Sequence, residues 1–264
     1  MSTVLLLKLL LVPVLIALVT LAGRRWGPGV AGWLSAVPVV AGPILLFIAI
    51  EQGAAFAAKA AVGTLSAVLA MLAFGISYAW AATRFAWPAS LASGYAGYAL
   101  AVLALKLWSA TTLSVAWLVV LVALWFAPRL YPVAQISAAA PAKPANDMLL
   151  RMVSGALLVL LVTHFAASLG PGLSGVFAMF PVMGTVLALF THRSAGAVAA
   201  TRLLRGMVLG FYAFSMFCAV LAWALSVTGI GTAFLWALAA AILVQGLSRL
   251  WLSRHGMVLA QRKP

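Results

Sequence analysis

The sequence predicts an all-α, polytopic membrane protein of about nine transmembrane helices arranged as two inverted repeats. Three observations lead there. The 264 residues are 66% hydrophobic and only 7% charged. The apolar residues fall in long unbroken runs, which a soluble domain cannot hide and a lipid-facing barrel would break into short alternating segments. The chain also repeats itself. Gly27-Pro28-Gly29-Val30-Ala31-Gly32, with Pro38-Val39 and Leu46-Phe47 downstream, returns as Gly170-Pro171-Gly172-Leu173-Ser174-Gly175, with Pro181-Val182 and Leu189-Phe190. The offset is constant (170 − 27 = 143; 181 − 38 = 143) and continues through Gly53 and Gly196, Lys59 and Arg202, and Gly63 and Gly206. Finally, sixteen Lys and Arg against two acids give a net charge of +14, and their placement sets a direction of insertion.

The first apolar run, 3–22, is followed by Arg24-Arg25 and has no basic cluster before it. That order suits a retained first helix with its N-terminus outside, not a signal peptide. A crossing takes about 20 apolar residues. The next runs are then spans at 29–50, 54–80, 88–106 and 111–127, with a turn near Trp108-Ser109 between the last two. Residues 129–147 are rich in Pro and Ala and read as a cytoplasmic linker. Beyond it lie spans at 149–168, 172–192, 197–226 and 230–253. The third and eighth are long enough to tilt. The chain thus divides into a first repeat of about five spans (1–128), the linker, and a second repeat of about four (148–264). Five is odd, so the equivalent segments 29–50 and 172–192 cross in opposite senses.

With the N-terminus outside, the cytoplasmic segments collect thirteen basic residues, from Arg24 and Arg25 to Arg262 and Lys263, and the outer side keeps only Lys8, Lys59 and Lys106. The expected location is a bacterial-type inner membrane, multi-pass, with the C-terminus in the cytoplasm. The basic charge is topogenic; no segment outside the membrane is long enough to read nucleic acid. Trp80, Trp87, Trp108, Trp125, Trp223 and Trp251 fall near span ends, as interfacial anchors do.

Two prolines, Pro38 and Pro181, sit near the midpoints of matched spans, and Gly42-Pro43 adds a second break to the first. A mid-helix proline frees the carbonyl one turn earlier, and in lipid that group must face protein or a polar cavity. Breaks matched across opposed helices point to a central substrate site formed by Pro38, Pro43 and Pro181. Lys59 and Arg202 are the matched cations, suited to an anion or to snorkelling to an interface. Glu51, one of two acids, is the candidate for proton or ion coupling, against a plain interfacial role. His164 is the second such candidate, against a hydrogen-bonded interior histidine, and His192 also stands at a span end. Cys218 is the only cysteine, so neither a disulfide within the chain nor a cysteine metal site forms. The two acids leave acid–base or metal catalysis little to work with, and no nucleophile, zinc or phosphate-loop motif is present. No catalytic residue, metal or cofactor is expected, and the protein is read as no enzyme.

The stretch Arg24-Arg25-Trp26-Gly27-Pro28-Gly29-Val30-Ala31-Gly32, then Pro38, then Glu51-Gln52-Gly53, resembles the small GlpM-like inner-membrane proteins. The second copy resembles them through Leu173-Ser174-Gly175 and Phe180-Pro181, without the acidic turn. The likeness implies a multi-span inner-membrane protein and supplies no catalytic residues. The duplication is also similar in architecture to small-multidrug and drug/metabolite transporters. The expected function is therefore a secondary transporter or exporter of a small or lipid-linked metabolite, working by alternating access. The alternative is a non-transporting scaffold or accessory subunit of an envelope assembly. The expected partners are the lipid bilayer and an unidentified small-molecule substrate; self-association into a homo-oligomer is left open.

Overall fold

The computed structural model describes residues 3–36, 38, 41–108, 112–132, 147–168 and 180–254. These residues form nine helices and no strand: α1 (Thr3–Trp26), α2 (Pro28–Ser35), α3 (Ala41–Gln52), α4 (Ala54–Ala82), α5 (Trp87–Trp108), α6 (Leu113–Leu130), α7 (Met148–Ser168), α8 (Val182–Val227) and α9 (Ile230–Arg254). Six of them (α1, α4, α5, α6, α8 and α9) contain stretches long and apolar enough to cross a membrane. Leu10, Leu18, Leu100, Leu107, Leu118, Leu235, Ile242 and Leu243 face outward. A soluble protein does not expose such side chains along so many helices; a bilayer receives them. The protein is a helical, multi-pass membrane protein. Residues 133–146 of the expected linker, the loop 169–171 and residues 172–179 of the expected seventh span lie outside the described residues.

The broken spans differ from expectation in a specific way. Residues 29–50 are not one kinked helix but two, α2 and α3, with Pro38 in the turn between them. The Pro38 carbonyl accepts the Gly42 N–H at 2.9 Å, and the Pro181 carbonyl accepts the Thr185 N–H at 2.8 Å. Both prolines therefore precede helices instead of bending them. A ring without an N–H costs nothing where the first helical turn has no acceptor to offer. Nor is the carbonyl near Leu34 left open, because the Ala36 N–H bonds to it. The spans expected at 172–192 and 197–226 are, over their described part, two helical limbs of α8 that meet at Gly196, whose backbone is not helical.

Three glycines set the joints. Gly27, Gly53 and Gly196 have φ of +91°, +88° and +82° with ψ of 164°, 162° and 173°, a region closed to residues with a Cβ. Gly53 closes α3 by donating to the Ala49 carbonyl and opens α4 by accepting from Ala57. One residue thus ends one helix and begins the next. Gly53 and Gly196 are repeat-matched (196 − 53 = 143), and their backbones match as well.

At the centre, α4 packs against α8. The segment α2–α3 climbs along the second limb of α8 (197–227) in the same direction. Gly29 meets Gly206, Gly32 meets Leu203 and Met207, the Trp33 carbonyl meets Gly210, and Gly42 meets Phe217. Glycine on both sides lets the two backbones touch. After Gly53 the chain turns, and α4 returns antiparallel to that limb, bringing Gly75 to Leu204. Among the described residues, the contacts of α2 and α3 with α8 fall on its second limb, not beside Pro181. Helix α2 packs chiefly on that long helix of the opposite copy, and α3 makes its main contacts with α4.

Candidate functional site

Each of the repeat-matched phenylalanines touches the interrupted segment of the other copy, at glycines one residue out of register (184 − 42 = 142). Phe74 of the first copy would lie 3.4 Å from a Cβ on Gly184 of the second, and Phe217 of the second 3.5 Å from one on Gly42 of the first. Both rings are fully buried. Only the first of these two places is polar. Around Phe74, Tyr78 Oη lies 3.1 Å from His192 Nδ1 and donates to it when that nitrogen carries no proton. Tyr95 Oη donates to Thr185 Oγ1 at 3.1 Å. The rings of Phe74, Tyr95 and Phe180 continue the cluster at centroid separations of 5.8 and 5.1 Å. At the equivalent positions around Phe217 the chain has Leu221, Ala49, Leu238 and Gly42, and no such network can form. Of the expected site residues, Pro181 is buried one turn before Thr185, whose hydroxyl Tyr95 reaches, while His192 lies further along α8; Pro38 is buried one turn before Gly42, which faces Phe217. Pro43 is half-buried in the first turn of α3.

The remaining candidates do not join this cluster. Glu51 is exposed in the last turn of α3, and Lys59 and Arg202 are exposed on α4 and α8. His164 is exposed on α7, which corrects the expectation of an interior histidine. That helix packs on α1 along its other faces.

A second cluster forms around an acid that sequence reasoning left in the linker. Asp147 holds Arg151 at 2.8 Å and Arg24 at 3.1 Å. Arg151 is buried, donates to Ser194 Oγ at 3.3 Å and stacks over Phe190. Burying a guanidinium demands such partners. The available signal was scarcity: a chain with two acids rarely spends one on a linker. Further contacts extend the basic end. Arg193 stacks over Trp87, and the Trp80 indole N–H donates to the Leu130 carbonyl beside Arg129. Arg24, Arg84, Arg129, Arg151 and Arg193 therefore gather at one end of the bundle. Lys59 and Lys106 lie toward the other ends of α4 and α5.

No protein-family model, curated protein or solved structure matches this chain.

Proposed function

We propose that the protein is a secondary transporter or exporter of a small or lipid-linked metabolite, built as two inverted repeats of GlpM-like type and working by alternating access. The observation that carries this reading is a pair of crossed contacts, Phe74 on Gly184 and the repeat-matched Phe217 on Gly42, one residue from the counterpart of Gly184 (184 − 143 = 41). Each repeat holds the other's broken helix, so the halves can rock against one another about the α4–α8 axis. The antiparallel course of α4 and the second limb of α8 supports the inverted relation. The substrate region is the polar-aromatic cluster along the first limb of α8, from Thr185 to His192, where hydroxyls and one imidazole suit an amphipathic or weakly charged molecule. The gathered arginines mark the cytoplasmic end, which puts the N-terminus outside and the C-terminus inside an inner membrane. The reading assigns no catalytic step.

One observation favours the alternative, a scaffold or accessory subunit. Tyr78, Phe74, Phe217, Leu65 and Leu221 pack the centre with almost no exposure. Metabolite profiling of a deletion strain, followed by flux of the accumulated compound into proteoliposomes, separates the two. Transport predicts saturable flux that Gly53→Ala with Gly196→Ala slows in folded protein. A compound that accumulates in the strain and never crosses reconstituted vesicles overturns transport and leaves the subunit reading.

A further inference from the structure

We propose that the crevice where the end of α4 meets the start of α5 binds an anionic phospholipid, its phosphate on Arg84 and an acyl chain along Ile76 and Phe85. The crevice has a volume of about 470 Å³, within the range of small-molecule sites. It combines one cation, Arg84, with the hydroxyl-bearing Ser77 and Ser93 and the apolar faces of Ile76, Trp80 and Phe85. No carboxylate pairs with Arg84 among the described residues. Arg129 at the end of α6 and Arg193 over Trp87 add positive charge at the same end. The wall is firm, because Trp80 is tied to the Leu130 carbonyl at 2.8 Å and Ser93 Oγ donates to the Ser77 carbonyl at 3.2 Å.

The position and chemistry select the ligand. The crevice lies at the ends of two membrane-spanning helices, at the depth of headgroups, where basic pockets between helices take anionic heads. Its rim is greasy: Trp80 and Phe85 are more than half exposed. A free phosphate would satisfy Arg84 and leave those rings bare; a phospholipid covers both. The site belongs to one copy only, since the equivalents of Ser77, Arg84 and Ser93 are Val220, Val227 and Trp236. The proposal needs only the membrane location and is independent of transport.

Native mass spectrometry of the detergent-solubilised protein, after incubation with phosphatidylglycerol or phosphatidylcholine of matched chains, provides the test. The wild type should retain phosphatidylglycerol in preference. Arg84→Gln, at an exposed position, should lower that retention about fivefold, the loss of one cation at an anionic surface. Ser93→Phe, which fills the crevice, should do the same, and Arg25→Gln should leave retention unchanged. Excess glycerol phosphate should not displace the lipid. Equal retention of the two lipids, wild-type retention by Arg84→Gln, or displacement by glycerol phosphate, which would mark a free-phosphate site, each overturns the proposal.

Discussion

Asp147 is the residue on which the charge arrangement turns. It holds two arginines of different exposure: the Arg151 side chain is 7% exposed and the Arg24 side chain 36%. A buried cation deprived of its partner is costly, and an exposed pair is worth little. Asp147→Asn is therefore expected to destabilise the protein by about 3 kcal/mol, and Arg24→Gln by less than about 1 kcal/mol. Thermal unfolding in detergent measures both, and equal effects would mean that Arg151 draws its support from Ser194 and Phe190 instead. The same reasoning explains the misplacement of His164. Its neighbours in sequence are apolar, but periodicity gives only relative faces, and the face turned inward on α7 is the one that meets α1.

Among the helices, the matched glycines Gly63 and Gly206 make a controlled pair. A Cβ on Gly206 would fall on the backbone of Gly29, whereas nothing lies within 4 Å of one on Gly63. Both positions are helical. Gly206→Ala should lower stability by about 1–3 kcal/mol, the range for overpacking, because neither backbone can yield like a side chain. Gly63→Ala should raise it by about 0.5–1 kcal/mol, the helix-propensity difference. Melting temperatures of the two variants should move in opposite directions; a shift of the same sign would refute the close crossing of α2 and α8. The proline positions were legible as interruptions, but their type was not. A proline in an apolar run is compatible with a kink or with a helix start, and only the acceptor found by the next N–H groups distinguishes them.

For the molecule as a whole, the gathered arginines and the lysines at the far ends make the orientation testable. Thr83 and Gln52 are exposed at opposite ends of α4. Cys218, the only cysteine, is buried, so it adds no background. In spheroplasts, a membrane-impermeant maleimide should label Gln52→Cys directly and Thr83→Cys only after the membrane is opened. Labelling of both without opening would place them on one side and dismiss the inverted arrangement. The reversed pattern would keep the arrangement and turn the protein over, against the distribution of arginine.

Composition alone determined that this chain lives in a bilayer, because 66% hydrophobic residues bury more apolar surface than a core of this size can hold. Self-comparison of the sequence marked the constant offset and the matched prolines and glycines, and only the backbone of the structure gave Gly53 and Gly196 a conformation that other residues rarely adopt. Tertiary structure decided what those breaks face. The offset of 143 residues is symmetric and makes Pro38 and Pro181 equivalent, but their surroundings come from other helices. Tyr95 of α5 reaches Thr185, one turn past Pro181, Tyr78 of α4 reaches His192 further along α8, and Phe217 of α8 reaches Gly42 of α3. Contacts between distant segments carry no local sequence signal, so the polar side of the molecule emerged only when the helices were brought together.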